Sequence, residues 1–219
     1  MQAAPLPPQT PGRSTPDQSA IKRSGRKFNQ VLEGARKVFM AAGFERANVD
    51  DIAHEAGVSK ATLYSYFPDK AALFSEVARC ECDRLAEAAL EEIDINAPLR
   101  EVLGFAATRI ATVVLSGFSQ SMFSICVAER ARFPALARSY YEAGPEMGRK
   151  QIEAYLRVAT EAGQLDISDF TLASEQFTDL ARTRLWLRAV FGVQAEFSSE
   201  EIASVAEEAV ETFLARYAT

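Results

Sequence analysis

The 219-residue sequence contains one histidine, three cysteines and no uncharged apolar run of about 18 residues. His54-Glu55 could begin a zinc-protease helix, but the lone histidine leaves such a site without its second imidazole. Cys80, Cys82 and Cys126 are an odd number without the spacing of a disulfide framework, which is typical of a reduced, cytoplasmic protein. We therefore expect no metal centre, no cofactor and no membrane-spanning helix.

Charge is distributed unevenly along the chain. The formal net charge of −6 by itself argues against a nucleic-acid partner. Residues 1–70, however, carry ten basic and seven acidic side chains, whereas the remainder carries 14 and 23. Such a division is consistent with a two-domain nucleic-acid-binding protein, although unrelated proteins show it too.

Residues 1–24 lack the apolar segment of a secretory signal and are rich in proline, glutamine, serine and threonine. We expect them to form a disordered, partly basic tail.

Apolar residues recur at helical spacing along most of the chain after this tail, and no segment alternates like a strand, so the predicted fold is all-α. Gly43 is placed to end the first helix. Candidate N-cap residues begin four of the following helices: Asn48, Ser59, Asp69 and Ser198. Glu201 completes a capping box with the last of these. Further helices are predicted at about 98–115, 119–131, 134–142 and 145–162, and a long one from Asp166–Asp169 to about Val190.

Two short predicted helices, Asn48–Ala56 and Ser59–Phe67, are separated only by Gly57-Val58. This is helix-turn-helix spacing, because glycine can supply the sharp turn and valine can fill the angle between the helices. In that motif the second helix enters the major groove of DNA and the first crosses the backbone. The spacing therefore predicts a DNA-binding unit.

The outer face of the second motif helix carries side chains suited to DNA. Leu63 and Phe67 occupy the inner face, so Tyr64 and Tyr66 are predicted to face DNA, although helical aromatics are more often core residues. Thr62 offers a hydroxyl and a methyl group to base edges, while tyrosine hydroxyls can donate to phosphates. The predicted DNA-binding residues are Asn48, Lys60, Ala61, Thr62, Tyr64, Ser65, Tyr66 and Lys70.

Three charged groups near the motif have alternative interpretations. Lys70 stands at a helix start, where negative charge is favoured, but beside backbone N–H groups it would complete a site for one phosphate. Asp50 and Asp51 point about 100° apart on a helix, so their carboxylates do not converge for paired acid–base chemistry. Acidic side chains in a first helical turn are instead stabilised by the helix dipole. The basic run Lys22–Lys27 is either a solvated tail or, in our interpretation, an arm that contacts phosphates or the minor groove.

The segment NVDDIAHEAGVSKATLYSYFPDKAALF, with the preceding FMAAGFERANV, resembles the signature of the TetR family of bacterial transcriptional regulators. The resemblance covers about Gly25–Leu85 and implies a three-helix DNA-binding head, a long fourth helix and a ligand-binding, dimerising body. By match to the family pattern, the recognition-helix positions are Lys60, Thr62, Tyr64 and Tyr66. Lys70 matches the phosphate-contacting lysine. Ala61 departs from the family's frequent glycine, and its methyl group would slightly restrict close approach of the backbone to DNA.

The implied domains are a tail at 1–24, a DNA-binding domain at 25–85 with its motif at about 48–67, and a body at 86–219. The segments ERARFPALARSYYEAGPEMGRKQIEAYL and EAGQLDISDFTLASEQFTDL are similar to the C-terminal domain of the AefR-like group. Bulky body side chains are candidate ligand-pocket residues: Phe105, Phe118, Met122, Phe123, Cys126, Tyr141, Met147 and Trp186. Family members dimerise through their last two long helices, and the apolar stripes here exceed what one small body needs. The predicted interface residues are Phe177, Leu180, Leu187, Val205, Ala209 and Phe213.

The leading interpretation is a homodimeric repressor that a small hydrophobic or amphipathic ligand releases from an inverted-repeat DNA operator. Arg182, Arg184 and Arg188 either pair an anionic ligand or form salt bridges within the acidic body. The alternative is an all-α small-molecule-binding protein or enzyme that uses the same fold, but no nucleophile, base and orienting group are apparent, so no catalytic residue is assigned. A helical protein–protein adaptor would not need Lys70 at a helix start. Redox sensing by one of the cysteines is a minor alternative.

Overall fold

The protein is all-α in this computed structural model, which describes residues 25–92 and 94–219. The predicted tail at 1–24 lies outside the described residues, and so do Lys22 and Arg23 of the basic run Lys22–Lys27. The helices are α1 Arg26–Arg46, α2 Val49–Glu55, α3 Lys60–Tyr66, α4 Lys70–Glu92, α5 Leu99–Leu115, α6 Gly117–Glu129, α7 Pro134–Ala143, α8 Pro145–Glu161, α9 Phe170–Ala181, α10 Trp186–Val190 and α11 Ser199–Tyr217. No single described helix is long and apolar enough to cross a membrane; α5 and α6 reach that length and hydropathy only as a pair bent by 61°.

Local capping explains where four of these helices begin. Asn48, Ser59 and Asp69 each accept a backbone N–H from the first turn that follows, which satisfies one otherwise unpaired donor. Ser198 and Glu201 form a reciprocal capping box at the start of α11. These predicted helix starts are confirmed. The prediction for Gly43 is confirmed in part, because its φ of 76° interrupts α1 but helical turns resume up to Arg46.

The predicted long helix that ends near Val190 is wrong. The chain instead forms α9 and α10, which are separated by a turn at residues 182–185. The Thr183 hydroxyl donates to the carbonyl of Asp179 at 2.9 Å, so a side chain takes the acceptor that a continuing helix would use. Arg184 then adopts a φ of 69°, in the left-handed region that non-glycine residues seldom enter.

Two buried clusters hold the helices together. The first contains the fully buried Phe39, Phe67 and Phe74, and it also includes Met122 and Cys126 of α6. The core of the head is therefore continuous with residues of α6 and α7. The second cluster joins α5, α8, α9 and α11, and its largest buried members are Leu103, Leu156, Leu165, Phe177 and Phe213.

Candidate nucleic-acid interface

Close packing of α2 against α1 positions the helix-turn-helix motif. A Cβ atom added at Gly34 of α1 would lie 2.7 Å from the backbone nitrogen of Ala56, so only glycine lets the two helices approach this far. Gly57 then turns the chain with a φ of 63°, which glycine adopts without strain. Ser59 follows at once as the N-cap of α3. The motif is thus fixed by backbone contact and a short turn.

The two faces of α3 differ in burial as predicted. Leu63 and Phe67 are fully buried in the first core cluster. Lys60, Ala61 and Ser65 are exposed, and 46% of Tyr64 is accessible. The exposed face is therefore available for contact along its whole length.

The hydroxyl groups of Thr62 and Ser65 already have partners in α3 or at its N-cap. Thr62 is half-buried, and its hydroxyl lies 2.9 Å from the Ser59 hydroxyl. Ser65 donates its hydroxyl to the Thr62 carbonyl at 2.6 Å. Contact of either hydroxyl with a base edge would exchange one of these hydrogen bonds, whereas the methyl group of Thr62 has no such competition.

Tyr66 differs from the sequence-based expectation that it is free of the core. Its ring is half-buried and packs edge-to-face on Phe28 of α1, with 5.6 Å between the ring centroids. Phe28 in turn stacks on Phe67 at 5.5 Å. Tyr66 therefore helps to attach α3 to α1, and only Tyr64 projects from the helix without a ring partner among the described residues.

Lys70 neutralises the end of α1, which explains its unusual position at the start of α4. Its ammonium group donates to the carbonyl oxygens of Glu45 at 3.1 Å and Ala47 at 3.0 Å. It also lies 4.7 Å from the centroid of the Phe44 ring. Cations are favourable at a helix C-terminus, so its charge is matched by α1 even though it begins α4. The position of Lys70 along the sequence indicates only its place in α4, because the contact with the end of α1 is nonlocal.

Lys60 is paired with a carboxylate of α2. Its ammonium nitrogen lies 2.9 Å from Oδ1 and 3.1 Å from Oδ2 of Asp50. The hydrogen bond to Asp50 and the charge of that carboxylate raise the pKa of Lys60 above its usual value. Both side chains are more than half exposed, so the ion pair lies on the surface that α3 presents to solvent.

Four of the predicted DNA-binding residues line one groove with a volume of about 490 Å³: Asn48, Lys60, Tyr64 and Lys70. Arg46 lines the same groove, is exposed and donates from Nε to the Ala42 carbonyl at 3.1 Å. Arg46 was not among the predicted DNA-binding residues, although its position in the last turn of α1, just before the motif, could have indicated it. Glu45 and Asp69 also line this groove, and Lys60 is paired with Asp50, so Arg46 and Lys70 are the lining cations that remain available to an anion.

Comparison with known proteins identifies the family. Residues 31–77 match the family described as bacterial regulatory proteins, tetR family. Residues 101–219, more than half of the chain, match the C-terminal domain of the AefR-like transcriptional repressors. The chain belongs to the TetR family. The resemblance inferred from the motif and from the body segments is thereby confirmed, and the protein is a TetR-family transcriptional regulator.

Two solved structures resemble this TetR-family chain over 89% of its length. A TetR-family regulator from Mesorhizobium loti is 26% identical, with a TM-score of 0.80 and 98% of that chain covered. The Flavonoid-responsive Regulator FrrA is 34% identical, with a TM-score of 0.75 and 98% covered. The HTH-type transcriptional repressor Rv1474c of Mycobacterium tuberculosis is 36% identical over 63 residues, or 29% of this chain. This and the next curated relatives are matched over 33–53% of their own length.

The predicted pocket residues of this TetR-family body do not form one group. Met122 and Cys126 are buried in the first core cluster, and Phe118 packs against it. Phe123 and Trp186 form an edge-to-face pair with centroids 4.9 Å apart. The remaining three are scattered in burial: Phe105 and Met147 are half-buried and Tyr141 is 54% exposed. The aromatic pair between α6 and α10 is therefore the part of the predicted set in which two partly exposed residues contact each other.

The thiols of Cys82 in α4 and Cys126 in α6 are poorly reactive. Burial raises the pKa of Cys82 to about 11 and that of Cys126 to about 12. A thiol with such a pKa is protonated near neutral pH, and the thiolate is the reactive form. The minor alternative of redox sensing is thus disfavoured at these two positions.

The predicted dimer-interface residues are divided between the core and the surface. Phe177, Ala209 and Phe213 are at most 2% exposed within the protomer, so they are core residues and their assignment to an interface is wrong. An apolar stripe on a helix predicts burial, but α5 and α8 already cover these side chains. Leu180 and Val205 are half-buried, while Leu187 is 64% exposed.

Two further large apolar side chains close to Leu187 in sequence are also exposed. Phe191 is 77% exposed and Val193 is 73% exposed. Neither was selected as an interface residue from the sequence, although their position just beyond α10 could have indicated an unpaired apolar end.

Nearby, Arg182 pairs with Asp179 and Arg188 lies 4.0 Å from Glu201, so these two arginines form the salt bridges that were one of the two expectations.

Proposed function

We propose that this TetR-family regulator is a homodimeric repressor. It binds an inverted-repeat DNA operator through α3 and is released when a small hydrophobic or amphipathic ligand binds the body. The observation that carries the proposal is the groove at the edge of α3, where Arg46, Lys60 and Lys70 surround the exposed Tyr64. Cations and phenol groups at the end of a recognition helix suit phosphates, and the exposed helix face suits base edges.

DNA binding is tested with operator duplexes selected from a random library by the full-length protein. Dissociation constants are then measured over a range of salt concentrations. Arg46→Ala is expected to weaken binding and to reduce the slope of log K against log salt by about 1, because one phosphate contact is lost. Tyr64→Ala is expected to weaken binding at each salt concentration. Arg216→Ala, on the exposed face of α11, is the control and should bind as the wild type does.

Two results would contradict this part of the proposal. One is a wild-type protein whose affinity for every selected duplex is independent of salt. The other is a double variant, Arg46→Ala with Tyr64→Ala, that binds operator as tightly as the wild type. The first result would favour the interpretation as a small-molecule-binding protein or adaptor.

Homodimer formation is supported by the apolar surface of Leu187, Phe191 and Val193. Large exposed apolar side chains that are adjacent in a protomer are typical of an interface, and a twofold axis would bury them against their own copy. Sedimentation velocity should show a dimer for the wild type and a shift toward monomer for Phe191→Asp. Val158→Asp is the control, because Val158 is 62% exposed on α8, outside this segment. Equal behaviour of the two variants would contradict this location of the interface.

The ligand class is supported by the Phe123–Trp186 pair and by one relative. The name of FrrA describes a response to flavonoids, which are aromatic and amphipathic. Trp186 is the only tryptophan in the sequence, so its fluorescence reports on this pair directly. A panel of flavonoids and fatty acids should include a compound that changes the emission and releases the operator duplex. Phe123→Leu should weaken both effects. Operator release without any change in emission would place the ligand elsewhere.

A further inference from the structure

The ion pair between Lys60 and Asp50 affects which group of the DNA, a phosphate or a base edge, Lys60 can bind favourably. Lys60 is the first residue of α3 and contributes to the groove. Both carboxylate oxygens of Asp50 lie within 3.1 Å of its ammonium group, and the backbone N–H of Asp50 is held by the side chain of Asn48 at 2.9 Å. The carboxylate is therefore placed beside α3 by the capped first turn of α2.

The other two cations of the groove are held differently. Lys70 is bound by neutral carbonyl oxygens and an aromatic face, and Arg46 donates to one carbonyl. Those partners leave the positive charge in place. Lys60 is the cation of this groove that a carboxylate neutralises.

The ion pair with Asp50 weakens the binding of Lys60 to a phosphate but leaves Lys60 able to bind a base edge. A phosphate that approaches Lys60 must compete with one anion for the ammonium group while it is repelled by the same anion, so the exchange gains little. A guanine edge presents the neutral acceptors N7 and O6. An ammonium group has three N–H donors, so one can reach a base while the others remain with Asp50.

We propose that Asp50 is a specificity-determining residue of DNA binding, which holds Lys60 for a base edge of the operator and prevents it from adding to phosphate binding on other sequences. The inference depends on the DNA binding proposed above. Asp50 acts through Lys60 and is therefore a positioning residue. Its loss should make binding less selective rather than abolish it.

The test compares Asp50→Asn with Asp51→Asn in the full-length protein. Asp51 is also exposed, stands in the same first turn of α2 and has no ion pair among the described residues. Each substitution removes one negative charge, so the difference between them isolates the pairing with Lys60. The probes are a short duplex of mixed sequence and the duplex selected by the wild-type protein. Affinities are measured over a range of salt concentrations.

Asp50→Asn is expected to bind the mixed-sequence duplex about three-fold more tightly than Asp51→Asn does. The slope of log K against log salt should steepen by about 0.9, as for one more phosphate neutralised. The ratio of operator affinity to mixed-sequence affinity should fall. In a Lys60→Gln background the two variants should become equal, because the freed ammonium group is absent.

Three outcomes separate this inference from the proposed function. If the wild type shows no salt-dependent affinity, DNA binding itself fails. If the wild type binds but Asp50→Asn and Asp51→Asn have equal slopes and equal selectivity, the role of Asp50 is overturned. It is also overturned if the effect of Asp50→Asn persists with Lys60→Gln. Asp50→Ser repeats the test with a second side chain, and thermal unfolding verifies that each variant is folded.

Discussion

The ring of Phe133, in the corner between α6 and α7, packs edge-to-face on Phe44 with 5.1 Å between the ring centroids. Phe44 follows the kink in α1 and lies beneath the ammonium group of Lys70. Beside this pair, Arg132 forms an ion pair with Glu45 at 2.9 Å. The α6–α7 corner of the body thus contacts the segment of the head that holds Lys70.

Loss of the aromatic contact at this corner should destabilise the protein. We expect Phe133→Leu to lower the free energy of unfolding by about 1 kcal/mol, because an edge-to-face pair contributes roughly this much beyond its buried area. Urea unfolding at neutral pH measures the change. Tyr141→Leu, at a 54% exposed position of α7 outside the proposed interface, is the control and should be close to neutral. Equal unfolding free energies for the two variants would show that the contact contributes nothing measurable.

Lys70 should contribute to folding independently of DNA. Lys70→Met removes the donor from the carbonyl oxygens of Glu45 and Ala47, so we expect a loss of about 1–2 kcal/mol in the free energy of unfolding. The measurement is urea unfolding in the absence of DNA. Lys150→Met is the control, because Lys150 is an exposed lysine of α8 whose described ion pair is a 3.5 Å contact with Glu146. A Lys70→Met protein that is as stable as this control would leave Lys70 with a role in DNA binding only.

Contact between α1 and α2 should not tolerate a side chain at Gly34. A Cβ atom there would lie within 3.0 Å of three atoms of Ala56, two of them backbone atoms. We expect Gly34→Ala to destabilise the protein by about 2 kcal/mol, since the helices must move apart. Gly148→Ala is the matched control. Gly148 lies in helix α8 with no heavy atom within 4 Å of an added Cβ, so that variant should gain about 0.5–1 kcal/mol from helix propensity.

Acid should weaken the protein partly through Glu146. Hydrogen bonds from Arg149 lower the pKa of this carboxyl to about 2. Because the folded pKa lies below the ordinary value of 4.5, the stabilisation is fully present above about pH 4.5 and is lost as the pH falls toward 2. Glu146→Gln should therefore flatten the stability profile between these two pH values. Glu142→Gln, an exposed carboxyl of α7, should leave the profile unchanged, and the same flattening in both variants would contradict the assignment.

Several features of the fold follow from local sequence. Asn48 and Ser59 cap their helices through hydrogen bonds to residues two or three positions ahead, so their roles do not depend on distant segments. The alternation of burial between Leu63 and Tyr64 follows from helical periodicity. For these reasons the all-α fold, most helix starts and the position of the motif could be predicted, and the motif letters identified the family.

Tertiary structure decided the roles of side chains whose partners are distant in sequence. Tyr66 packs on Phe28, and Lys70 binds the end of α1, in each case across a segment that the motif pattern does not describe. Periodicity showed that Phe177 faces an apolar surface, but only the packing of α5 and α11 showed that this surface belongs to the same protomer. Local sequence therefore determined where helices begin and which face is apolar. The three-dimensional arrangement determined what each face contacts, because nonlocal neighbours are set by packing and not by spacing.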